Sequence, residues 1–114
     1  MSRWIKIAAV ADFPLDAGAA ALVDGVQIAI FNFGKAQWYA VQNECPHEHH
    51  MCISRGLVGD SNGRPKVACP MHKNNFFLSD GQHAGGNSDW TLHTWAVKEE
   101  DGFIYIEQKD PVLA

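Results

Sequence analysis

The sequence predicts an all-β domain, built as an antiparallel sandwich or a small barrel. Short runs rich in β-branched and aromatic residues recur along the chain, turn-forming residues separate them, and evidence for helices is thin. The 114 residues suit one domain over 1–114, and a hydrophobic content of 46% allows a modest core. The fold class is therefore predicted from the β-rich runs and the turn-forming residues between them rather than from any single motif.

The first half of the chain contains two predicted strands, residues 26–33 and residues 37–41. Asp24-Gly25 is a good hairpin turn before the first strand, and Gly34 with Lys35 forms the next turn. Upstream of these strands, the Ala-rich segment 17–22 could form a helical turn, although its glycine weakens that expectation.

In the second half, residues 58–66 are polar and predict a surface loop, after which Val67 leads into the next loop. A short strand over 76–78 is stopped by Ser79-Asp80-Gly81. Residues 92–97 and 103–106 predict two strands, and Glu100-Asp101-Gly102 between them predicts a second hairpin.

Composition limits the classes of function. The formal net charge is −4, which argues against a nucleic-acid-binding surface. Asp12, Pro14 and Asp16 interrupt the apolar start of the chain, so we expect no secretory signal, and no run approaches the roughly 20 apolar residues of a membrane span. These features predict a cytoplasmic protein. Three cysteines make a poor disulfide framework, and thiolates for metal or redox chemistry fit better.

Cysteine and histidine are concentrated in two short segments, Cys45-Pro46-His47 and Cys69-Pro70-Met71-His72. Their pattern is C-x-H, then 21 intervening residues, then C-x2-H. Each segment offers one thiolate and one imidazole, and the proline after each cysteine restricts the backbone beside it. We take Cys45, His47, Cys69 and His72 as the candidate metal ligands.

Three interpretations of this pattern remain open from the residues alone. Chance placement is one, and two repeats of the same Cys-Pro arrangement disfavour it. A structural zinc site is the second, but zinc sites usually pair cysteines in one segment with histidines in another. A Rieske [2Fe–2S] centre is the third, because there two cysteines bind one iron and two histidines bind the other.

The two segments resemble the Rieske family, and the resemblance extends from Trp4 to Ile106. Phe76 and Gly81 follow the second segment at the spacing of Rieske ferredoxins. The resemblance implies an antiparallel β-sandwich with a cluster-binding subdomain of two loops, at about 43–57 and 67–81. It also implies that Cys45 and Cys69 bind one iron of a [2Fe–2S] cluster, and that His47 and His72 bind the other.

Within that family, residues 53–58 and 76–81 resemble the small subunits of assimilatory NAD(P)H-dependent nitrite reductases. This likeness implies a partner, the large subunit with FAD, siroheme and a [4Fe–4S] cluster, which reduces nitrite to ammonium. The present chain would transfer electrons or support the structure, and would carry no catalytic residue. A free ferredoxin that serves a ring-hydroxylating dioxygenase is an alternative, disfavoured by the run 54–57. A zinc-binding interaction module is another.

The same resemblance predicts a low reduction potential. High-potential Rieske proteins join their two loops by a disulfide, and the corresponding positions here are His50 and Met71, which cannot form one. We therefore expect a value at the low end of the Rieske range, roughly −150 to +300 mV. Asn74 stands where family members typically carry an aromatic residue, so the solvent cover of the cluster should differ.

Other candidate residues have simpler interpretations. Cys52 is expected to be a small buried hydrophobic side chain, since free cysteine is often buried. His49 and His50 are expected to be exposed loop residues, while His83 and His93 suit surface or sheet positions. Met71 and Lys73 flank a predicted ligand and are candidates for contact with a partner. Six aromatic residues are predicted to lie in the core: Trp38, Tyr39, Phe76, Phe77, Trp90 and Trp95.

Overall fold

A computed structural model describes residues 2–15, 17–23, 25–33, 37–46, 50–61, 63–70, 74–86 and 90–109. Within these ranges the chain forms ten β-strands and two single 3₁₀ turns. The strands are β1 (Ser2–Ala9), β2 (Ala17–Val23), β3 (Val26–Phe33), β4 (Gln37–Gln42), β5 (Leu57–Ser61), β6 (Arg64–Ala68), β7 (Asn75–Phe77), β8 (Thr94–Trp95), β9 (Val97–Glu100) and β10 (Phe103–Lys109). The 3₁₀ turns cover Val10–Asp12 and Ile53–Arg55.

The strands pair into three antiparallel sheets. The central sheet has the order β2-β3-β4-β8, an outer sheet has the order β1-β10-β9, and a third, smaller sheet has the order β5-β6-β7. The third sheet, the 3₁₀ turn at Ile53–Arg55 and the residues around Cys45 and Cys69 form a subdomain on one side of the central sheet. This arrangement confirms the predicted all-β sandwich with a two-loop subdomain.

Two hydrophobic cores lie on opposite faces of the central sheet, because alternate residues of β3 and β4 point to opposite sides. Both faces of these strands are therefore buried. The first core, on the side of the Cys/His segments, contains Ala29, Phe31, Val41, Cys45, Cys52, Ile53, Val67, Cys69, Phe76, Leu78 and Leu92. The second core, on the side of the β1-β10-β9 sheet, contains Val23, Ile28, Ile30, Ala40, Ile104 and Ile106.

One expectation about the first part of the chain was wrong, and one strand there was not predicted. Residues 17–22 form strand β2 rather than a helical turn, because β3 offers a full antiparallel partner from Ala17–Asn32 to Val23–Val26. A Cβ atom at Gly18 would lie 2.6 Å from both the Phe31 ring and the Ser54 carbonyl oxygen. The glycine therefore allows close packing of β2 onto the 3₁₀ turn. Strand β1 was not predicted, and it pairs with β10.

Two further expectations fail in the second part. Residues 58–66 are mostly strand, because β5 and β6 pair with each other from Leu57–Ala68 to Ser61–Arg64. Residues 92–97 are not one strand: the chain leaves the central sheet at Trp95 and enters the outer sheet at Val97. The polar composition of residues 58–66 does not indicate the β5–β6 hairpin. The change of sheet between Trp95 and Val97 depends on pairing with strands that are distant in the sequence.

The hairpin between β9 and β10 is confirmed. Asp101 and Gly102 have φ angles of 54° and 81°, the pattern of a two-residue type I′ turn that matches the twist of the flanking strands. The strands predicted over 26–33, 37–41, 76–78 and 103–106 are also present, with bounds that differ by a few residues at most. Of the other predicted turns, Asp24, Gly34 and Lys35 lie outside the described residues.

Candidate metal centre

The first predicted cysteine, Cys45, follows β4 and is completely buried. Its backbone N–H donates a hydrogen bond of 2.8 Å to the carbonyl oxygen of His50, five residues further on. The second, Cys69, directly follows β6 and is also completely buried, and its N–H donates a 2.7 Å hydrogen bond to the carbonyl of Asn74, again five residues on. The two loops are thus closed in the same way around their cysteines.

The two cysteines lie in the same core although 24 positions separate them in the sequence. Val67, just before Cys69, and Ile53, after the first loop, are both fully buried in the first core. Burial of these side chains holds β6 and the 3₁₀ turn against one face of the central sheet. The strands therefore carry the two thiols into one apolar environment.

The two predicted histidine ligands, His47 and His72, fall between the hydrogen-bonded ends of these loops but lie outside the described residues. Within the described ranges, no group of three or more His, Cys, Asp or Glu side chains is arranged to hold a metal ion. The structure thus brings Cys45 and Cys69 into one core and leaves the imidazole half of the predicted site as a prediction.

Cys52 is the third buried cysteine, at 8% exposure, and the prediction of a small buried side chain is confirmed. Its Sγ lies 3.5 Å from Sγ of Cys69, and none of the three cysteines forms a disulfide. Burial raises the pKa of the Cys52 thiol to about 12, assisted by the hydrogen bond and charge of Cys69 and the charge of Cys45, while Arg55 acts in the opposite direction. At neutral pH this thiol therefore keeps its proton.

Asn43, which was not among the predicted site residues, organises the first loop. The side chain is only 2% exposed, its Oδ1 accepts a 2.8 Å hydrogen bond from the Ser54 N–H, and its Nδ2 donates one of 2.9 Å to Oε1 of Gln27. Its carbonyl oxygen accepts from the N–H groups of Cys52 and Ile53. A local signal existed, because asparagine at the end of a strand often hydrogen-bonds nearby backbone groups.

Two glycines permit close packing around the loops. A Cβ on Gly56 would collide with the Ala68 carbonyl oxygen and lie 2.5 Å from Cγ2 of Val67. Gly81 has a φ of +76°, and a Cβ there would collide with the Leu92 carbonyl oxygen. Gly56, near the end of the first predicted loop, and Gly81, at the end of the second, thus lie directly against the backbone of a neighbouring segment.

Three rings in and after the second loop, those of Phe76, His83 and Trp90, pack against one another. Phe76 is fully buried, and the half-buried ring of His83 lies edge-on between Phe76 and Trp90, with centroid distances of 5.5 and 5.2 Å. His83 forms a backbone bridge with Phe76, which agrees with the sheet position expected for it.

Of the six aromatic residues predicted to lie in the core, only Phe76 is completely buried. Tyr39 and Trp90 pack partly against the first core, Trp38 and Trp95 partly against the second, and Phe77 lies under the guanidinium of Arg64.

The outer side of the first loop is open to solvent. His50 is exposed, as expected, and so are Met51 at 49% and Leu57 at 80%. His93 is exposed and packs edge-on against Trp95. Asn74 is half-buried. His49, Met71 and Lys73 lie outside the described residues, so their expected roles stay predictions.

The sequence profile of the Rieske-like [2Fe–2S] domain family matches residues 3–107. The chain belongs to this family, which confirms the predicted class of cofactor. The described residues fit such a group, because two fully buried thiols from two separate loops supply the soft sulfur ligands that iron–sulfur clusters require.

Several relatives are named as nitrite reductases or their subunits. The chain is 38% identical to the nitrite reductase (NADH) small subunit of Salmonella typhimurium, over 93% of this chain and 98% of that one. It is 42% identical to the nitrite reductase (NAD(P)H) of Emericella nidulans over 76% of this chain, and 36% identical to the nitrite reductase (NAD(P)H) large subunit of Klebsiella oxytoca over 90%. The chain spans only 9% and 11% of the lengths of those two proteins.

A solved structure of a nitrite reductase small subunit is also similar to this chain. The putative NADH-dependent nitrite reductase small subunit of Mycobacterium tuberculosis is similar with a TM-score of 0.90, at 26% identity over 97% of this chain and 99% of that one.

A dioxygenase ferredoxin is also similar in sequence: the 3-phenylpropionate/cinnamic acid dioxygenase ferredoxin subunit of Shigella flexneri is 33% identical over 70% of this chain and 71% of its own length. The match to the ferredoxin is thus shorter than the match to the Salmonella small subunit.

Proposed function

We propose that this chain is the small Rieske subunit of an NAD(P)H-dependent nitrite reductase. Cys45 and Cys69 bind one iron of its [2Fe–2S] cluster, and His47 and His72 bind the other. Residues 1–114 act as one domain, with the cluster between the loops at about 43–57 and 67–81. The nitrite reductase assignment is supported by full-length similarity to a small subunit, which covers 93% of this chain and 98% of the Salmonella protein.

The ligand assignment is carried by one observation, the matched burial of Cys45 and Cys69 on loops with the same closure. Both thiols are 0% exposed, and both backbone N–H groups bond to the carbonyl five residues on. Burial alone is common for free cysteine, but two buried thiols presented by identically closed loops are the arrangement that a shared iron atom requires. Iron binding gives them a function, because a thiolate needs a cation when it is withdrawn from water.

The residues around the cluster set its redox character. A [2Fe–2S] cluster supplies one-electron transfer when bound. Two thiolates offset the charge of about +2 on the oxidised core, and neutral imidazoles leave the other iron without further anionic charge, so electron uptake costs less than at a four-cysteine site. The burial of Cys45, Cys69 and Phe76 keeps water from the cysteine side. With His50 at a disulfide position of high-potential relatives, we expect the low end of the Rieske range.

The partner in this proposal is the nitrite reductase large subunit, which carries FAD, siroheme and a [4Fe–4S] cluster and reduces nitrite to ammonium. The similarity to 11% of a Klebsiella protein that is itself named a large subunit supports this pairing, because the same kind of domain is there part of a longer chain. This chain then serves electron transfer or the structure of the complex, and the chemistry of nitrite takes place on the partner.

The proposed compartment is the cytoplasm, supported by the three free cysteines, as is usual where thiols are kept reduced. In the described part of the chain, none of the helical segments has the length and apolar character that crossing a membrane requires.

A free ferredoxin for a ring-hydroxylating dioxygenase is the second candidate, favoured by the 33% identity to the Shigella ferredoxin subunit. The two functions differ in the partner rather than in the cofactor. Co-expression with the large subunit of the same organism's nitrite reductase therefore distinguishes them. We expect a stable complex on size-exclusion chromatography and oxidation of the reduced small subunit by the complex during turnover of nitrite.

The cofactor is tested by anaerobic purification, followed by visible and electron paramagnetic resonance (EPR) spectra before and after dithionite. We expect a red-brown protein with a rhombic reduced signal whose average g value lies below that of all-cysteine clusters. Cys45→Ala and Cys69→Ala should abolish the signal, because each removes an iron ligand, and Cys52→Ala should retain it. A colourless wild-type protein that binds zinc, or that takes up no iron on reconstitution, would contradict the proposal.

A further inference from the structure

The thiol of Cys52 lies next to a proposed iron ligand without being one in the family pattern. Its Sγ is 3.5 Å from Sγ of Cys69, and both side chains belong to the first core. At this separation sulfur atoms make a hydrogen-bond contact, whereas a disulfide requires about 2.05 Å. Cys52 thus adds a thiol beside Cys69 to a core whose remaining buried members, apart from the two predicted ligands, are apolar.

The direction of this hydrogen bond follows from the chemistry of the two sulfurs. In the cluster-bound protein Cys69 is a thiolate, which has no proton to donate and can only accept. Cys52 is not a predicted ligand and carries an ordinary thiol, which is protonated at neutral pH, so its S–H is the donor available 3.5 Å from the Cys69 sulfur. The backbone N–H of Cys52 donates to the carbonyls of Asn43 and His50, which fixes the backbone from which the thiol projects.

We propose that the Cys52 thiol donates a hydrogen bond to the sulfur of Cys69 and thereby raises the reduction potential of the cluster. This inference rests on the proposed ligand role of Cys69. Reduction adds negative charge that is shared with the ligand sulfurs, so a donor to one of them stabilises the reduced form more than the oxidised form. The first loop, which lacks the disulfide of high-potential Rieske proteins, thus still contains a hydrogen-bond donor that adjusts the reduction potential.

The test is a pair of variants that differ in one hydroxyl group, Cys52→Ala and Cys52→Ser. An EPR-monitored redox titration of each cluster-loaded full chain gives the reduction equilibrium. We expect Cys52→Ala to weaken reduction by about threefold to tenfold, where tenfold corresponds to about 59 mV for one electron. Cys52→Ser retains a donor, so we expect a potential at or above that of the wild type.

The outcomes separate this inference from the proposed function. If wild-type protein loads no cluster, the proposed function fails, and this inference fails with it. If all proteins load a cluster and the alanine and serine variants shift the potential equally, or neither shifts it, only the role of the Cys52 hydrogen bond is overturned. Iron and sulfide contents measured in parallel ensure that the compared samples are equally loaded.

A measurement on the wild type alone keeps the inference testable if the variants load poorly. The chain has three cysteines, so with Cys45 and Cys69 bound to iron, Cys52 carries the remaining S–H group. Its stretching band in the infrared difference spectrum should move to lower frequency when the cluster is reduced, because the accepting sulfur gains negative charge. A band that stays in place on reduction would show that no such hydrogen bond exists.

Discussion

At the scale of single residues, Asn43 shows how one buried amide can shape a whole loop. Its side chain bonds to Ser54 on one side and to Gln27 on the other, at 2.8 and 2.9 Å. Its carbonyl oxygen accepts from two further N–H groups. The residue therefore connects the start of β3, the end of β4 and the 3₁₀ turn, and fixes the frame from which Cys45 and Cys52 project.

Replacement of Asn43 by alanine should destabilise this frame. The change leaves the Ser54 N–H without its acceptor in a partly buried site, and it also removes the bond to Gln27. We expect the free energy of unfolding to fall by about 2–4 kcal/mol, since each unsatisfied buried group costs about 1–3 kcal/mol. The measurement is urea denaturation followed by tryptophan fluorescence, with iron content determined on the same samples.

Gln27→Ala is the matched control for the asparagine variant. Gln27 is exposed, so water can replace its side-chain oxygen as the acceptor for the Asn43 amide. Its backbone carbonyl still accepts the Asn43 N–H at 3.1 Å. We expect a loss below about 1.5 kcal/mol, and equal losses in the two variants would contradict the central role of Asn43.

At the scale of elements, the junction between the 3₁₀ turn and the β5–β6 hairpin decides where Cys69 lies. Gly56 joins the turn to β5, and it faces the carbonyl oxygen of Ala68, the residue before Cys69. Its φ of −72° is available to any residue, so the requirement for glycine here is one of space. The contact holds the end of β6 close to the first loop.

Gly56→Ala should therefore disturb the site as well as the fold. The added methyl group would press on backbone rather than on a flexible side chain, so β6 would have to move and carry Cys69 with it. We expect a loss of about 1–3 kcal/mol in the free energy of unfolding, as for other overpacked positions, together with a clear loss of bound iron. Chemical denaturation and iron analysis of the variant measure both effects.

Gly59→Ala provides the comparison within the same strand. A Cβ at Gly59 has open space, with no atom within 4 Å. We expect iron content and stability close to those of the wild type, because a strand position generally tolerates alanine at least as well as glycine. If the two variants lost iron to the same degree, close packing at Gly56 could not be the reason.

Sequence patterns predicted elements well where each strand carries its own signal. Residues 26–33 and 103–106 are rich in β-branched and aromatic residues, and Asp101-Gly102 has the composition of the turn that it forms. The failures occurred where pairing outweighed local composition. The alanines of β2 become a strand because β3 lies beside them, and polar residues 58–66 form a hairpin through backbone pairing that their side chains do not indicate.

At the scale of the whole molecule, the two cores are separated by the backbone of the central sheet. The first contains all three cysteines, and the second contains Ile104 and Ile106 from β10. A cluster bound between the loops would therefore cross-link the first core directly and affect the second only through β3 and β4.

Removal of the cluster by chelation should raise the rate of amide hydrogen exchange more around the first core than around the second. We expect faster hydrogen exchange at the Cys45 and Cys69 amides, whose bonds to His50 and Asn74 close the cluster loops, because the metal cross-link no longer holds those loops. Amides of β10 should keep most of their protection. The experiment compares iron-loaded and chelated protein by exchange detected with NMR or mass spectrometry.

The paired strands β9 and β10 serve as the internal reference, since they lie in the outer sheet away from the first core. A uniform rise in exchange across both cores would show that the molecule unfolds as a single cooperative unit. No change at the two cysteine amides would show that the cluster does not stabilise these loops.

The sequence by itself determined the all-β class, the family and the candidate ligand set, because the spacing of Cys45, His47, Cys69 and His72 and the turn residues are local features of the chain. Only the tertiary structure decided that both cysteines are fully buried in one core, that Asn43 joins three segments, and that Cys52 lies 3.5 Å from Cys69. These contacts arise when strands distant in sequence pack on one face of the central sheet. Burial and hydrogen bonding between such segments depend on that packing rather than on local spacing.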